Sequence, residues 1–450
     1  MLKGGLYCDR AEWSIGRSAA LVCSLGGGRM IAEIIAAGSE MLTPFRQDTN
    51  SLYLTSELNA LGVTVAFKTI VGDKLEHLMS AARIAIARAD VVIFSGGLGP
   101  TEDDLTREAV AGALALKIRR DNDVLAGIYK RFAARLMTMP PNNARQADVI
   151  ESAVILQNAS GSAPGQYIDT VVGRHRKIVV LLPGPPKEMK AMFETECRPK
   201  LQEALPERHM ARRMLRMALI PESQVDARTA SIYKQYEDVE STILAGSGEI
   251  QLHFVCSKRS QAEAQQRVDE LAGRVEAEMG EAIFSSHGES LEEVVLLMLG
   301  MRHNTLAAAE SCTGGLLSQR LTAVPGSSRY FLGGAVVYSD RLKTAFADVP
   351  DEMIATEGPV SAAVAMTLAE GIRKRVGSSV GVAITGIAGP TPGTGPDADK
   401  PIGLVYVGLA FEGEEARVTE LNLTGDRDKI RLWASQHALE LLRRALLERA

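Results

Sequence analysis

The sequence predicts two three-layer α/β/α domains joined by a small α+β connector. Two observations carry this. From Met30 to about Pro199, and again from about residue 289 to the end, short β-branched runs alternate with longer amphipathic helices, whereas residues 205–287 mix half-exposed alternating strands with helices. A length of 450 residues also suits about three domains of roughly 150 each. Residues 1–29 end in Gly26-Gly27-Gly28 and read as a loose extension. Asp9, Arg10 and Glu12 interrupt the segment after Lys3, and the apolar stretch 19–23 is shorter than the core of a signal peptide.

The first domain, 30–200, opens with a strand over 31–36, a helix over 49–61, a strand over 63–71, a helix over 75–88 and a buried strand over 90–95. Such βαβ alternation predicts a mostly parallel sheet covered on both faces. A further strand, 177–182, stops at Pro183-Gly-Pro-Pro186, and a helix runs on through Cys197. In the connector, strands are expected over 216–221 and 250–255 and helices over 223–236 and 261–279. The last domain, 289–450, starts with a helix over 290–301 and a strand over 305–309. Strands over 335–338, 380–385 and 403–411 and a helix over 428–448 complete it, and no internal repeat occurs.

Composition bounds the function. Apolar residues make up 46% and charged residues 23%, which suits a globular chain. A net charge of -5 excludes a chain built chiefly to grip nucleic acid phosphates. Cys8, Cys23, Cys197, Cys256 and Cys312 are scattered without a C-x-x-C pair, so neither a disulfide framework nor a cysteine zinc site is expected, and a cytoplasmic location is the expectation. No apolar run approaches the ~18 residues of a membrane span; the strongest, 294–301, is broken by Gly300.

The first cluster of interest is Phe94-Ser-Gly-Gly-Leu-Gly-Pro-Thr-Glu-Asp-Asp104, between a buried strand and a helix. Gly96, Gly97 and Gly99, with Thr101, suit a backbone cradle for a phosphate at a helix start. Asp103 and Asp104 would repel that phosphate unless a cation lay between, which suggests a metal-bridged phosphate or pyrophosphate. The alternative is that Thr101 is an N-cap and Asp104 completes a capping pair. A second polar loop, Gly38-Ser-Glu40 with Asp48-Thr-Asn50, ends the first strand; in a parallel sheet both loops emerge at one carboxyl edge. Glu40, Asp48, Asp103 and Asp104 are thus the expected ligands of a divalent metal of the Mg, Mn or Co type.

These motifs, with Asn143-Ala-Arg-Gln-Ala147, Gly161-Ser-Ala-Pro-Gly165 and Pro183-Gly-Pro-Pro-Lys-Glu188, resemble the N-terminal domain of the competence/damage-inducible CinA family. The resemblance implies a molybdopterin-binding-like fold, a metal-dependent ADP-ribose pyrophosphatase activity, and Asn50 among the substrate-binding residues. One departure is visible. Where the family has a second glycine before its Asp-Thr-Asn, this chain has Pro44 and then Phe45, and a fixed proline φ implies a reshaped loop.

The second cluster follows the strand over 305–309, where Ser311-Cys-Thr-Gly-Gly315 turns sharply into a helix over 316–322. A hydroxyl on such a turn sits beside free amides that can stabilise an oxyanion; the alternative is that Ser311 or Thr313 caps the helix. Cys312, a thiol at the same helix start, is an equally open nucleophile. Of the seven histidines, His287, His303 and His437 stand in contexts unsuited to a base. Lysine can serve if burial lowers its pKa, and Tyr338 and Lys343 follow another strand.

Ala309-Glu-Ser-Cys-Thr-Gly-Gly315, Gly334-Ala-Val-Val-Tyr-Ser339 with Lys343, and Thr385-Gly-Ile-Ala-Gly-Pro390 resemble the CinA C-terminal domain. That domain is similar to nicotinamide mononucleotide (NMN) deamidases of a Ser/Lys type and needs no cofactor. The resemblance implies Ser311 as nucleophile, Lys343 as general base and Tyr338 as a hydrogen-bonding support. Thr313, Gly314 and Gly315, with Thr385, Gly386 and Gly389, would bind substrate or an oxyanion. Arg427 and Arg431 also match and suit a nucleotide phosphate.

The loop over 391–401, rich in Gly and Pro, reads as a mobile lid or a plain linker. The family's connector resembles a KH fold, and Arg208 to Arg216 is locally basic, yet no G-x-x-G loop occurs there, so nucleic acid is not an expected partner. The expected partners are NMN and ADP-ribose, in a homodimer without membrane contact. A different class of function, a binding module that holds a molybdopterin-like or nucleotide ligand without turnover, fits the first cluster equally.

Overall fold

The computed structural model describes residues 30–206, 208–246 and 248–449; the expected extension over 1–29 lies outside them. The first compact unit comprises its residues up to Met210 together with 257–261, and the second the remainder.

In the first unit the chain runs β1 (Ile31–Ala37), α1 (Thr49–Ala60), β2 (Thr64–Val71), α2 (Leu75–Arg88), β3 (Val91–Ser95) and α3 (Thr106–Leu114). β4 (Ile118–Arg120) and β5 (Asp148–Ile150) make a small antiparallel ribbon flanking α4 (Asn122–Ala134). Then come β6 (Val154–Leu156), β7 (Gly165–Val172), β8 (His175–Leu182), α5 (Pro186–Met192) and, after a π-turn over Phe193–Cys197, α6 (Arg198–Ala204). The sheet order is β2-β1-β3-β8-β7-β6, with β2, β1, β3 and β8 parallel and the last two strands antiparallel. β3 is buried at every position, which is why its sequence is continuously apolar. α2 buries Leu78, Ala82, Ala85 and Ile86, one stripe at helical spacing, on the face shared with α3. α1, α5 and α6 cover the opposite face through Leu54, Leu58, Met189 and Leu201.

The second unit holds two sheets. β9 (His209–Ala218), α7 (Glu222–Tyr233), β10 (Val239–Gly246), β11 (Glu249–Lys258), α8 (Gln261–Met279) and β12 (Ile283–Ser285) give a four-stranded sheet of order β10-β11-β9-β12. The basic stretch read from sequence is β9 itself. Arg213 is held by Asp269 and Glu276 of α8, and Arg216 by Glu249 at 2.5 Å.

The chain continues through α9 (Leu291–Met301), β13 (Leu306–Glu310), α10 (Leu316–Thr322), β14 (Phe331–Val336), α11 (Asp340–Ala347), α12 (Asp351–Glu357) and α13 (Ala362–Val376). β15 (Val380–Gly386), β16 (Leu404–Phe411), β17 (Arg417–Asn422) and α14 (Arg427–Leu447) finish the fold. A reciprocal capping box between Ser290 and Glu293 starts α9. The sheet order is β14-β13-β15-β16-β17, and the first three strands are parallel. α9, α10 and α14 pack on one face, and α11, α12 and α13 on the other. Among the described residues no helix is long and apolar enough to cross a membrane.

Candidate active sites

In the first unit, β1, β3 and β8 end at one edge, so the loops after them meet. The helix after β1 lies on one face and the helix after β3 on the other, which opens a crevice between the two strand ends. A cleft of about 490 Å³ occupies it. All the residues expected there from sequence line it: Glu40, Asp48, Asn50, Gly96, Gly97, Gly99, Thr101, Asp103 and Asp104.

Gly96 has φ +105°, and a Cβ on it would stand 2.3 Å from Ala37 O, so only glycine lets the two strand exits pass this closely. Beneath the loop lies Arg107, 1% exposed, donating to Leu98 O at 2.9 Å and Gly99 O at 3.1 Å. Burial pushes its pKa down, yet a guanidinium stays charged, so a fixed cation backs the loop. The C=O and N–H of a trans peptide point opposite ways, so anchoring Leu98 O turns the Gly99 N–H away from the guanidinium. The amides of Gly97, Leu98 and Gly99 have no partner among the described residues.

Two expectations need correction here. Thr101 is not a helix cap, because α3 begins at Thr106 with Leu105 at its N-cap. Instead the Thr101 N–H, at 2.9 Å, and its hydroxyl donate to Asp104 Oδ2 and close a turn ahead of the helix. Asp48 N-caps α1 by accepting from the Ser51 N–H at 2.9 Å. Among the described residues no three His, Cys, Asp or Glu side chains converge as a metal cage. The oxygen donors fit instead an ion held by one or two carboxylates and by phosphate oxygens of a ligand. Glu40 and Asp103 are the exposed pair. Pro44 and Phe45 are exposed on the irregular segment after Leu42.

The second unit repeats the arrangement. α10, after β13, packs on one face and the helices after β14 on the other, so a crevice opens between those strand ends. Ser311, Tyr338, Lys343, Gly386, Gly389 and Arg427 line a cleft of about 730 Å³ there. The Ser311 N–H donates to Ile384 O at 2.8 Å, which ties the turn to β15. Lys343 is 3% exposed and its Nζ donates to Asp340 Oδ1 at 3.0 Å; among the described residues no hydrogen bond joins it to Ser311. Arg427 donates to Tyr338 Oη at 2.9 Å and to Gly389 O at 2.7 Å.

Thr313, Gly314, Gly315, Thr385 and Arg431 are not among the residues lining this cleft. Arg431 donates to Thr313 O at 2.9 Å and so braces the turn, and the Thr385 hydroxyl donates to Pro359 O at 2.8 Å. The amides at the start of α10, expected to face an oxyanion, are taken by Glu310, 1% exposed. Its carboxylate accepts from Leu317 N at 3.0 Å and from Ser318 N at 2.7 Å. The amides of Cys312, Thr313 and Gly315 have no partner among the described residues and are the donors left. Cys312 borders the cleft, but it packs in the core with Leu306, Leu317 and Val382, and burial pushes its thiol up to about 12. His437 is half-buried on α14, away from the cleft lining, and burial lowers its pKa.

The 391–401 loop is a tied wall of the cleft. Lys400 Nζ donates to Asp397 Oδ1, Glu357 O and Val360 O at 2.7–2.8 Å, while Asp397, 3% exposed, accepts from Val360 N at 3.1 Å.

Residues 33–203 match the family model of a probable molybdopterin binding domain, 212–285 that of the damage-inducible protein CinA KH domain, and 288–446 that of the CinA C-terminal domain. A CinA-like protein of Acidobacterium capsulatum is 58% identical over 93% of this chain and 100% of its own length. The chain belongs to the CinA family. A second CinA-like protein, from Koribacter versatilis, is 55% identical over 93% of this chain and 100% of its own length. The crystal structure titled as the protein CinA with unknown function from Thermoplasma acidophilum is 33% identical, covers 38% of this chain and 98% of that chain, and has a TM-score of 0.35.

In this CinA chain, sequence reasoning missed Arg107, Glu310 and the Asp397–Lys400 pair. Glu310 had a legible signal, an acid ending an otherwise apolar strand. Arg107 had none, since an arginine in a first helical turn reads as a surface residue.

Proposed function

We propose that the C-terminal cleft hydrolyses the carboxamide of NMN to nicotinate mononucleotide and ammonia. The observation that carries this reading is that Ser311 and Lys343 share one cleft beside the unpartnered Cys312 amide, while the Cys312 thiol is buried. Ser311 Oγ attacks the amide carbon and passes its proton to Lys343. The carbonyl oxygen gains charge against the Cys312 amide, the unpartnered amide of the turn at a residue that lines the cleft. Lys343 returns the proton to the leaving nitrogen, ammonia departs, and an ester to Ser311 remains. Water, deprotonated by Lys343, then attacks the ester, and Lys343 passes that proton to Ser311 Oγ as nicotinate mononucleotide leaves, which restores the hydroxyl and the free amine. Arg427 and Tyr338 orient the substrate, and Asp340 Oδ1 orients the Lys343 amine by accepting its hydrogen bond at 3.0 Å.

For the N-terminal cleft the reading is a divalent-metal-dependent ADP-ribose pyrophosphatase yielding AMP and ribose 5-phosphate. Glycine amides backed by Arg107 suit the pyrophosphate, and Glu40 and Asp103 would hold the ion. When bound, such an ion neutralises phosphate charge and polarises the scissile phosphorus. The second reading is a module that binds without turnover, which the same glycine amides would serve. AMP release from ADP-ribose, with and without chelator, decides between them. Catalysis requires metal-dependent AMP that Asp103→Asn lowers at least about 10-fold, whereas binding without AMP supports the module.

A further inference from the structure

Arg46 is the one cation among the described residues that line the N-terminal cleft, and the same lining carries six carboxylates. None of them pairs with it, and among the described residues Arg46 has no hydrogen bond or ion pair at all. Four of the acids use other donors: Asp48 the Ser51 N–H, Asp73 the Ser39 N–H, Asp104 those of Thr101, and Glu188 the Asn158 Nδ2. The chain places Arg46 by local means. The Thr43 N–H and hydroxyl both donate to Glu40 O, at 3.2 and 2.7 Å, and Asp48 caps α1, so the segment between them is fixed at both ends. Within it Pro44, whose ring fixes φ, and Phe45 make a turn, and Arg46 follows on the cleft wall. The departure of Pro44 and Phe45 from the family pattern thus brings a cation to the cleft.

We infer that Arg46 clamps one phosphate of a diphosphate while the amides of Gly97, Leu98 and Gly99 hold the other. This rests on reading the cleft as a nucleotide site. The amides, backed by buried Arg107, are a fixed cradle on the loop after β3, whereas Arg46 stands on the loop after β1, so the two bear on a ligand from different loops. A guanidinium is always charged, and its planar fork matches two oxygens of one phosphate. With six carboxylates in the lining, a second phosphate would meet net repulsion if the one cation were already spent on an acid. A monophosphate fills the cradle alone. Arg46 thereby selects a nucleoside diphosphate over a monophosphate.

The test is calorimetric binding of α,β-methylene ADP, whose bridge resists cleavage, to the full chain with Mg²⁺, with AMP read by displacement of that ligand. Arg46 is exposed, so Arg46→Ala keeps the fold, as an unchanged urea midpoint checks. Relative to the wild type, Arg46→Ala should weaken the diphosphate at least about 5-fold more than it weakens AMP. A smaller difference, including an equal loss for both ligands, would overturn the inference and leave the nucleotide reading standing. No binding of the diphosphate to the wild type would overturn both.

Discussion

Cys312, the neighbour of Ser311, is held as an unreactive thiol, because burial favours whichever form carries no charge. The thiolate is the reactive form of cysteine, and a thiol held up to about 12 supplies almost none at neutral pH. Iodoacetamide at pH 8 should therefore leave Cys312 unlabelled in the native chain and label it in urea, as read by peptide mass spectrometry; rapid native labelling would contradict this. The same shift has a stability consequence. The folded thiol keeps its proton above the ordinary value of 9.0, so its contribution is complete below pH 9 and is lost as pH rises towards 12. His437 has the opposite shift. Burial lowers its pKa, the unfolded chain binds the proton more readily, and stability falls as pH drops through the ordinary 6.5. His437→Gln should flatten the urea midpoint against pH between 7 and 5; an unchanged slope would contradict that. Ser311 and Lys343 were legible because their motifs are contiguous. Glu310 was legible only as an odd acid, since its partners lie on a helix that forms after the turn.

At the scale of elements, helices over 75–88, 261–279 and 316–322 were readable to their ends, because apolar spacing and flanking polar residues marked both limits. β10 and β17 were not, since both are edge strands whose outward positions are polar or exposed. The arginines of β9 looked like a basic patch because their carboxylate partners lie 33 to 63 residues away. The 391–401 loop teaches the same lesson: glycines and prolines signal irregular backbone, while the Lys400 ammonium on three oxygens decides that it is a wall. Lys400→Met should raise KM for NMN about 10-fold while leaving kcat within about 3-fold, because the wall positions substrate without touching the reacting bond. An unchanged KM with a folded protein would contradict that role. Glu310→Ala strips partners from Leu317 N and Ser318 N and should lower unfolding free energy by roughly 2–4 kcal/mol in urea titration.

For the molecule as a whole, each unit builds its cleft by the same rule, opposite crossovers from adjacent parallel strands, although the two sequences share no repeat. The sheet order that splits the crossovers was not legible, whereas the meeting of loops after parallel strands at one carboxyl edge was, from the βα alternation and the loop composition. The chemistry inside was less so, because it depends on which polar atoms the protein itself has already used: Glu310 at one helix start, Asp48 and Asp104 in the other cleft. For the anionic nucleotides proposed as ligands, the mild negative charge of the chain is an electrostatic problem that local cations would answer, Arg107 under one cleft and Arg427 beside the other. The most direct test of the central claim is ammonia and nicotinate mononucleotide release from NMN by the purified full chain. Wild type and Cys312→Ala should turn over within about 3-fold of each other, and Ser311→Ala should fall at least about 10³-fold with its fold intact. Turnover that survives in Ser311→Ala, or that is lost only in Cys312→Ala, would contradict it.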